Sequence, residues 1–170
     1  SGRPGPVVLD FAKNAQTALI EYQPQTVDFI RSYNPVPAAA PGSIERAADL
    51  INQSVKPLML VGQGVELAGA REELLALAEK AQIPFGQTML GLSAAPTSHP
   101  LNMGMLGMHG NLAPNVMTNQ CDLLIAVGMR FDDRVTGDLH TYAKQAKVIH
   151  FEIDPSEVGK IVKPTVAVLG

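Results

Sequence analysis

Five short apolar runs, each set apart from the next by enough chain for a helix, constrain this sequence more than any other feature. They are Pro57-Leu58-Met59-Leu60-Val61, Ile83-Pro84-Phe85-Gly86-Gln87, Cys121 to Val127, Lys147 to Ile153 and Pro164 to Gly170. Short runs of this kind, apolar at most positions, read as strands, and Cys121 to Ala126 as one buried on two faces. A strand joined to its successor through a helix returns to the same edge, so the strands run parallel. The expected fold is α/β, a Rossmann-like three-layer domain with a mostly parallel central sheet.

The intervening segments carry helical signals. Ile44, Ala47, Ala48, Leu50 and Ile51 recur at helical spacing behind Ser43, an N-cap candidate; Glu45 falls one place short of a capping box. Gly69 to Gln82 predicts an amphipathic helix with Leu74, Leu75, Leu77 and Ala78 inward. A short helix is expected within Asn111 to Gln120, with Pro114 in its first turn. A polar helix is expected near Asp138 to Gln145, and another opening at Asp154-Pro155. Thr88 to Gly110 is a long Gly- and Met-rich connection.

The first 42 residues read differently. Val7-Val8-Leu9-Asp10 resembles a short strand belonging to a sheet whose other strands are elsewhere. From Phe11 to Gly42, prolines at 24, 35, 37 and 41 favour an extended linker crossing a surface. The domain reading is therefore the end of a preceding domain plus linker over 1–42, and a compact domain over 43–170.

Composition narrows the function. With 46% hydrophobic residues and no Trp, aliphatic side chains and Met must fill the core. A net charge of −3 without a basic cluster argues against a nucleic-acid surface. The single Cys121 excludes an internal disulfide and, just before a strand, is expected to be a buried inert thiol. No signal peptide and no apolar run of spanning length occur, so the expectation is a cytoplasmic protein with no membrane partner.

The chemistry concentrates after the strands. Gly128-Met129-Arg130-Phe131-Asp132-Asp133-Arg134 follows the third run, where open α/β sheets bind ligands. Its charges either pair among themselves in solvent or offer guanidinium forks to a phosphate. Gly62-Gln63-Gly64 is half of a dinucleotide fingerprint, with Leu67 where the third Gly would stand. Glu152 closes a strand, where an acidic residue either caps the next segment or binds a ribose hydroxyl. Met103, Met105 and Met108 either pack the core or wall a flat ring system. His99 and His109 lack a carboxylate or thiol at ligand spacing, so no metal site is expected. Neither a nucleophile elbow nor a phosphate-binding P-loop occurs.

Gly104-Met105-Leu106-Gly107-Met108-His109-Gly110, together with Gly128 to Gly137, closely resembles the central FAD-binding domain of the acetohydroxyacid (acetolactate) synthase large-subunit family. The likeness covers nearly the whole chain; Ser1 to Asp10 is similar to the end of that family's pyrimidine-binding domain. Members are thiamine-diphosphate enzymes of branched-chain amino acid synthesis. The resemblance implies FAD contacts from Arg3, Gly62, Gly64, Thr88, Met89, Leu106, Gly107, Met108 and His109. It implies others from Gly128, Met129, Arg130, Phe131, Asp132, Arg134 and Val135, with Glu152 and Ile153 at the adenosine end. Asp133 and Arg134 match positions lining the substrate channel. Partners implied are the other two domains of the same chain, further copies in a homo-oligomer, and a regulatory subunit.

Two departures stand out: Gln63 replaces a common Gly, and the chain stops at Gly170, where the family continues into an acidic FAD contact. The family's activating glutamate lies in a preceding domain, and its diphosphate–magnesium motif lies in a following one. The expectation is a domain that binds FAD weakly by itself and does not catalyse alone. Related middle domains of glyoxylate carboligase or pyruvate oxidase, and a free-standing NAD-binding domain, are the alternatives; the Asp-Asp-Arg segment and the missing third Gly argue against them.

Overall fold

Each of the five apolar runs becomes a strand, and a sixth forms where the sequence gives little sign of one. The structure, a computed structural model, describes residues 5–24, 26 and 37–170. It divides into two units, 1–36 and 37–170. In the first, Val7 to Asp10 forms no strand and is exposed, Val8 being 90% accessible. A strand is held by a hydrogen-bonded neighbour, and these residues have no ladder partner among the described residues. Lys13–Thr17 makes one helical turn, α1.

The second unit begins with helix α2, Ser43–Gln53, followed by strand β1, Pro57–Val61. Short helix α3, Gln63–Leu67, and helix α4, Arg71–Ala81, lead to β2, Phe85–Gln87. A 3-10 turn over Met89–Gly91 precedes β3, Asn102–Met105. Helix α5, Leu112–Thr118, strand β4, Leu123–Val127, and the four-residue α6, Asp133–Thr136, come next. Strands β5, Lys147–Glu152, and β6, Val166–Leu169, complete the order.

All six strands are parallel, in the order β3-β2-β1-β4-β5-β6. The order reverses direction between β1 and β4, and all strands end on one edge. Strand alternation sends Met59, Val61, Leu123, Ile125 and Ile149 into one core layer with Val65, Leu74 and Ala78 of α3 and α4. Leu58, Leu60, Leu124, Ala126 and Val148 enter the other, with Leu106, Met129 and Phe131. Burial on both faces is why β1 and β4 read as unbroken apolar runs.

Three helical expectations change. Ser43 is the first helical residue, buried, behind an N-cap Gly42 in the left-handed region at φ 72°. The Pro41-Gly42 turn, closed by Ser43 N–H donating to the Ala40 carbonyl, places the start one residue early. Asp138 to Gln145 is a series of turns rather than a helix. Ala143 has φ +46°, its N–H donates to Asn119 Oδ1, and Gln145 Nε2 donates to the carbonyls of Thr118 and Cys121. Docking against the end of α5 overrides local preference here. The segment after Asp154 is likewise a turn, because Asp154 Oδ1 accepts from Ser156 N and Oγ and Gly159 takes φ +73°.

At the amino edge of the sheet, Asp122 ties α2 to β1 and β4. Its carboxylate accepts from Ser54 Oγ, from Val55 N at 2.7 Å and from Lys56 N at 3.0 Å. Burial pushes the carboxyl up, but these hydrogen bonds together hold it below its ordinary value. A lowered folded value means that the stabilisation is complete above the unfolded value, near 3.8, and disappears as pH falls through the folded one. Asp122→Asn is expected to cost about 1 kcal/mol at pH 7, the net worth of a solvent-screened hydrogen-bond set. Urea unfolding should show that difference shrinking below pH 4, roughly the unfolded carboxyl value; a constant difference would refute the clamp. Cys121, buried beside it, has its thiol pushed up to about 11 by burial, so it stays protonated and unreactive.

Candidate functional site

Parallel strands bring their carboxyl-end turns to one edge, and the candidate residues from five strands meet there. Leu106 to His109 follow β3, Thr88 and Met89 follow β2, and Gly62 and Gly64 follow β1. Gly128 to Val135 follow β4, while Glu152 and Ile153 end β5. Strands lie roughly 4.8 Å apart, so β3 to β5 spans about 19 Å of continuous edge. Arg3 lies outside the described residues.

The centre of this edge is where the strand order reverses, between β1 and β4, the place ligands favour in open α/β sheets. Here the backbones of Gly62, Gly64 and Gly128 touch. A Cβ on Gly62 would stand 2.1 Å from the Gly128 carbonyl oxygen, and one on Gly64 would stand 2.6 Å from Gly128 Cα. Gly62 N–H donates to Val127 O at 2.9 Å and Gly64 N–H to Gly128 O at 3.0 Å. The sequence suggested that these N–H groups face a diphosphate; both are instead used to close the β1–β4 seam. The glycines bring the two turns together rather than supplying donors.

After Gly128, at φ +60°, the side chains alternate in and out. Met129 and Phe131 are buried as anchors in the core layer that holds Leu58 and Leu124, so Arg130 between them is thrust into solvent. Met129 and Phe131 can therefore meet a ligand only through their backbone. Phe131 holds φ +56°, an unusual conformation for a bulky residue. Asp132 caps α6, its Oδ1 accepting from Arg134 N at 3.0 Å. Among the described residues, no ion pair joins Arg130 or Arg134 to Asp132, Asp133 or any other carboxylate. The self-paired loop is thus not what forms; two guanidinium groups stand free at the ligand edge.

A cleft of about 310 Å³ opens beside this loop, lined by Leu106, Gly107, Met108, Arg134, Val135 and Asn115 among others. It joins the turns after β3 and β4, which are not neighbours in the sheet. Met108 N donates to Arg134 O at 2.8 Å, and a Cβ on Gly107 would meet that same oxygen at 2.7 Å. Asn115 grips Gly107 from both sides, accepting from its N–H at 2.8 Å and donating to its carbonyl at 2.9 Å. Asn111 accepts from Met105 N at 2.9 Å. Sequence reading missed these two asparagines, although their i, i+4 spacing behind a Gly-rich loop was a usable signal. Tyr142 also borders the cleft, and burial, with Cys121 nearby, raises its phenol well above the ordinary range.

The remaining candidates flank these features. Thr88 caps the 3-10 turn, accepting from Gly91 N at 3.2 Å, and leaves Met89 exposed; Met108 and His109 are exposed as well. Glu152 is buried, its Oε1 accepting from Ile153 N at 3.0 Å and Asp154 N at 3.1 Å. It therefore caps the following turn, while its second oxygen makes no hydrogen bond among the described residues and lies 3.8 Å from His150 Nε2. Among the described residues, no cluster of His, Cys, Asp and Glu could hold a metal ion, and no helix is long and apolar enough to cross a membrane.

Residues 44–170 match the model of the thiamine pyrophosphate enzyme central domain. The whole chain is 45% identical to a probable acetolactate synthase large subunit of Methanocaldococcus jannaschii and 46% identical to an acetolactate synthase large subunit of Corynebacterium glutamicum. Over 99% of its length it is 44% identical to the acetolactate synthase isozyme 1 large subunit of Escherichia coli. The chain spans 27–29% of the length of these relatives.

Proposed function

The chain belongs to the thiamine pyrophosphate enzyme family, matching its central domain over residues 44–170, and we propose from this that it is the FAD-binding domain of an acetolactate synthase large subunit. Such an enzyme joins two pyruvates to 2-acetolactate with loss of CO2, a step in branched-chain amino acid synthesis in the cytoplasm. Residues 43–170 form the domain, and 1–42 are the end of a preceding pyrimidine-binding domain with its linker. Thiamine diphosphate and Mg2+ act through two other domains, in a homo-oligomer that can carry a regulatory subunit.

The observation that carries this reading is a pair of arginines with no ion pair among the described residues, Arg130 and Arg134, beside the point where the sheet order reverses. A diphosphate supplies the charge they lack, and Arg forks match phosphate geometry. Glu152 offers its second oxygen to a ribose hydroxyl, and exposed Met89 and Met108 offer soft apolar walls to flat rings. Asp133 and Arg134 face the substrate channel. When bound, the flavin contributes structure rather than electrons, since two pyruvates become acetolactate and CO2 without net oxidation. This chain's residues bind and orient; none is assigned a catalytic proton. The cleft stands at the lower limit of the ~300–1,000 Å³ usual for ligand sites, so one domain leaves most of a dinucleotide uncovered.

Weak binding of FAD is therefore the expected result, read as flavin fluorescence quenching and a thermal shift, with no response to NAD. At 100 times its dissociation constant a ligand adds about 2.7 kcal/mol to stability. No flavin response at millimolar concentration, or equal response to NAD, would overturn the assignment. Turnover of pyruvate by these 170 residues with thiamine diphosphate and Mg2+ would overturn the division of labour between domains.

A further inference from the structure

His150 is wholly buried at the end of β5, a position the flavin reading leaves without a role. Alternation along the strand puts it on the same face as Glu152 and Val148, against the turn that follows β4. Its Nε2 lies 2.8 Å from the Met129 carbonyl oxygen. A carbonyl only accepts, so Nε2 carries the proton, and Nδ1 finds no partner among the described residues. The same Nε2 is 3.8 Å from Glu152 Oε2. The ring meets Phe131 edge-on, with centroids 5.1 Å apart and planes at 71°.

One side chain thus holds the residue before Arg130, through its carbonyl, and the residue after it, through its ring. Both bear on the left-handed conformation of Phe131, which needs surrounding structure to persist. It also borders the only Glu152 oxygen not used in capping the next turn. We infer that His150 is a positioning residue for the dinucleotide: it sets the direction of Arg130 and its register with Glu152, so that one ligand spans both. This rests on the flavin assignment and extends it to a residue that touches no ligand.

Two substitutions of similar bulk separate positioning from packing. In His150→Gln the amide nitrogen is as many bonds from the backbone as Nε2 and can still reach the Met129 carbonyl. In His150→Asn it matches Nδ1 and falls short. With the purified protein and FAD as the probe, His150→Gln should keep its affinity within about threefold of wild type, whereas His150→Asn should lose about tenfold, the effect of misplacing one hydrogen bond to a charged group. The loss should not add to that of Arg130→Gln: in the His150→Asn background Arg130→Gln should cost little more. Melting temperatures should fall in both His150 variants, so stability alone cannot reproduce the split. Equal affinities for the Gln and Asn variants, or full additivity with Arg130→Gln, would overturn the positioning role while leaving the flavin assignment standing. Failure of wild type to bind FAD would overturn both.

Discussion

Gly62→Ala will destabilise the native protein by about 3 kcal/mol or more, the upper range for forcing an atom into a packed interior. The new methyl would stand 2.1 Å from the Gly128 carbonyl oxygen and 2.5 Å from Met129 Cβ. Neither neighbour can retreat. Gly62 N is bound to Val127 O, Gly64 N to Gly128 O, and Gly128 N to Phe151 O at 2.9 Å, so β1, β4 and β5 are laced together at this point. The backbone of Gly62 itself is in ordinary extended geometry, so the effect is one of space and not of conformation. Gly69→Ala is the matching control. Gly69 has φ +67° but nothing within 4 Å of its missing Cβ, so only the left-handed penalty of about 1–2 kcal/mol applies. Urea unfolding midpoints would check the pair; a Gly62→Ala protein within 1 kcal/mol of wild type, roughly the cost of an ordinary substitution, would mean the seam is not closed as described.

Loss of both free arginines should have the largest effect on ligand affinity. Arg130→Gln is expected to weaken FAD binding about tenfold and the double change with Arg134→Gln about a hundredfold, at one charge-assisted hydrogen bond each. Stability should stay within roughly 0.5 kcal/mol for either, because exposed side chains without partners contribute little to folding. The salt dependence of binding should flatten in the double variant, since the screened charges are the ones removed. Asp132→Ala supplies the contrast. It removes the cap on Arg134 N and should cost about 1 kcal/mol of stability. Unchanged FAD affinity and unchanged salt dependence in the double arginine variant would place the diphosphate elsewhere.

How much of this was legible depends on the range of the interaction. β1, β2, β4, β5 and β6 were readable because burial on both faces favours short, largely apolar runs set off by helix-length connections. β3 was not: Asn102-Met103-Gly104-Met105 lacks branched residues and alternation, and it becomes a strand through pairing with β2 on an exposed edge of the sheet. The helix expected at Asp138 to Gln145 failed because Asn119 and Gln145 cross-link that segment to α5, contacts more than 20 residues away in the chain. Arg130, Arg134 and Glu152 were identified from their places after strands. That the arginines are unpaired, and that the Gly62 and Gly64 donors face β4 rather than solvent, depends on neighbours brought together by folding.

By itself the sequence determined the class of fold, the parallel sense of the strands and the edge on which the charged turns must lie. These follow from hydrophobic periodicity and from helix-length connections, both local properties. Tertiary structure alone decided that the order reverses between β1 and β4, that three glycines meet there, and that buried His150 stands beneath Arg130. Strand order and close backbone approach depend on which distant surfaces fit together, and no window of the chain contains both surfaces at once.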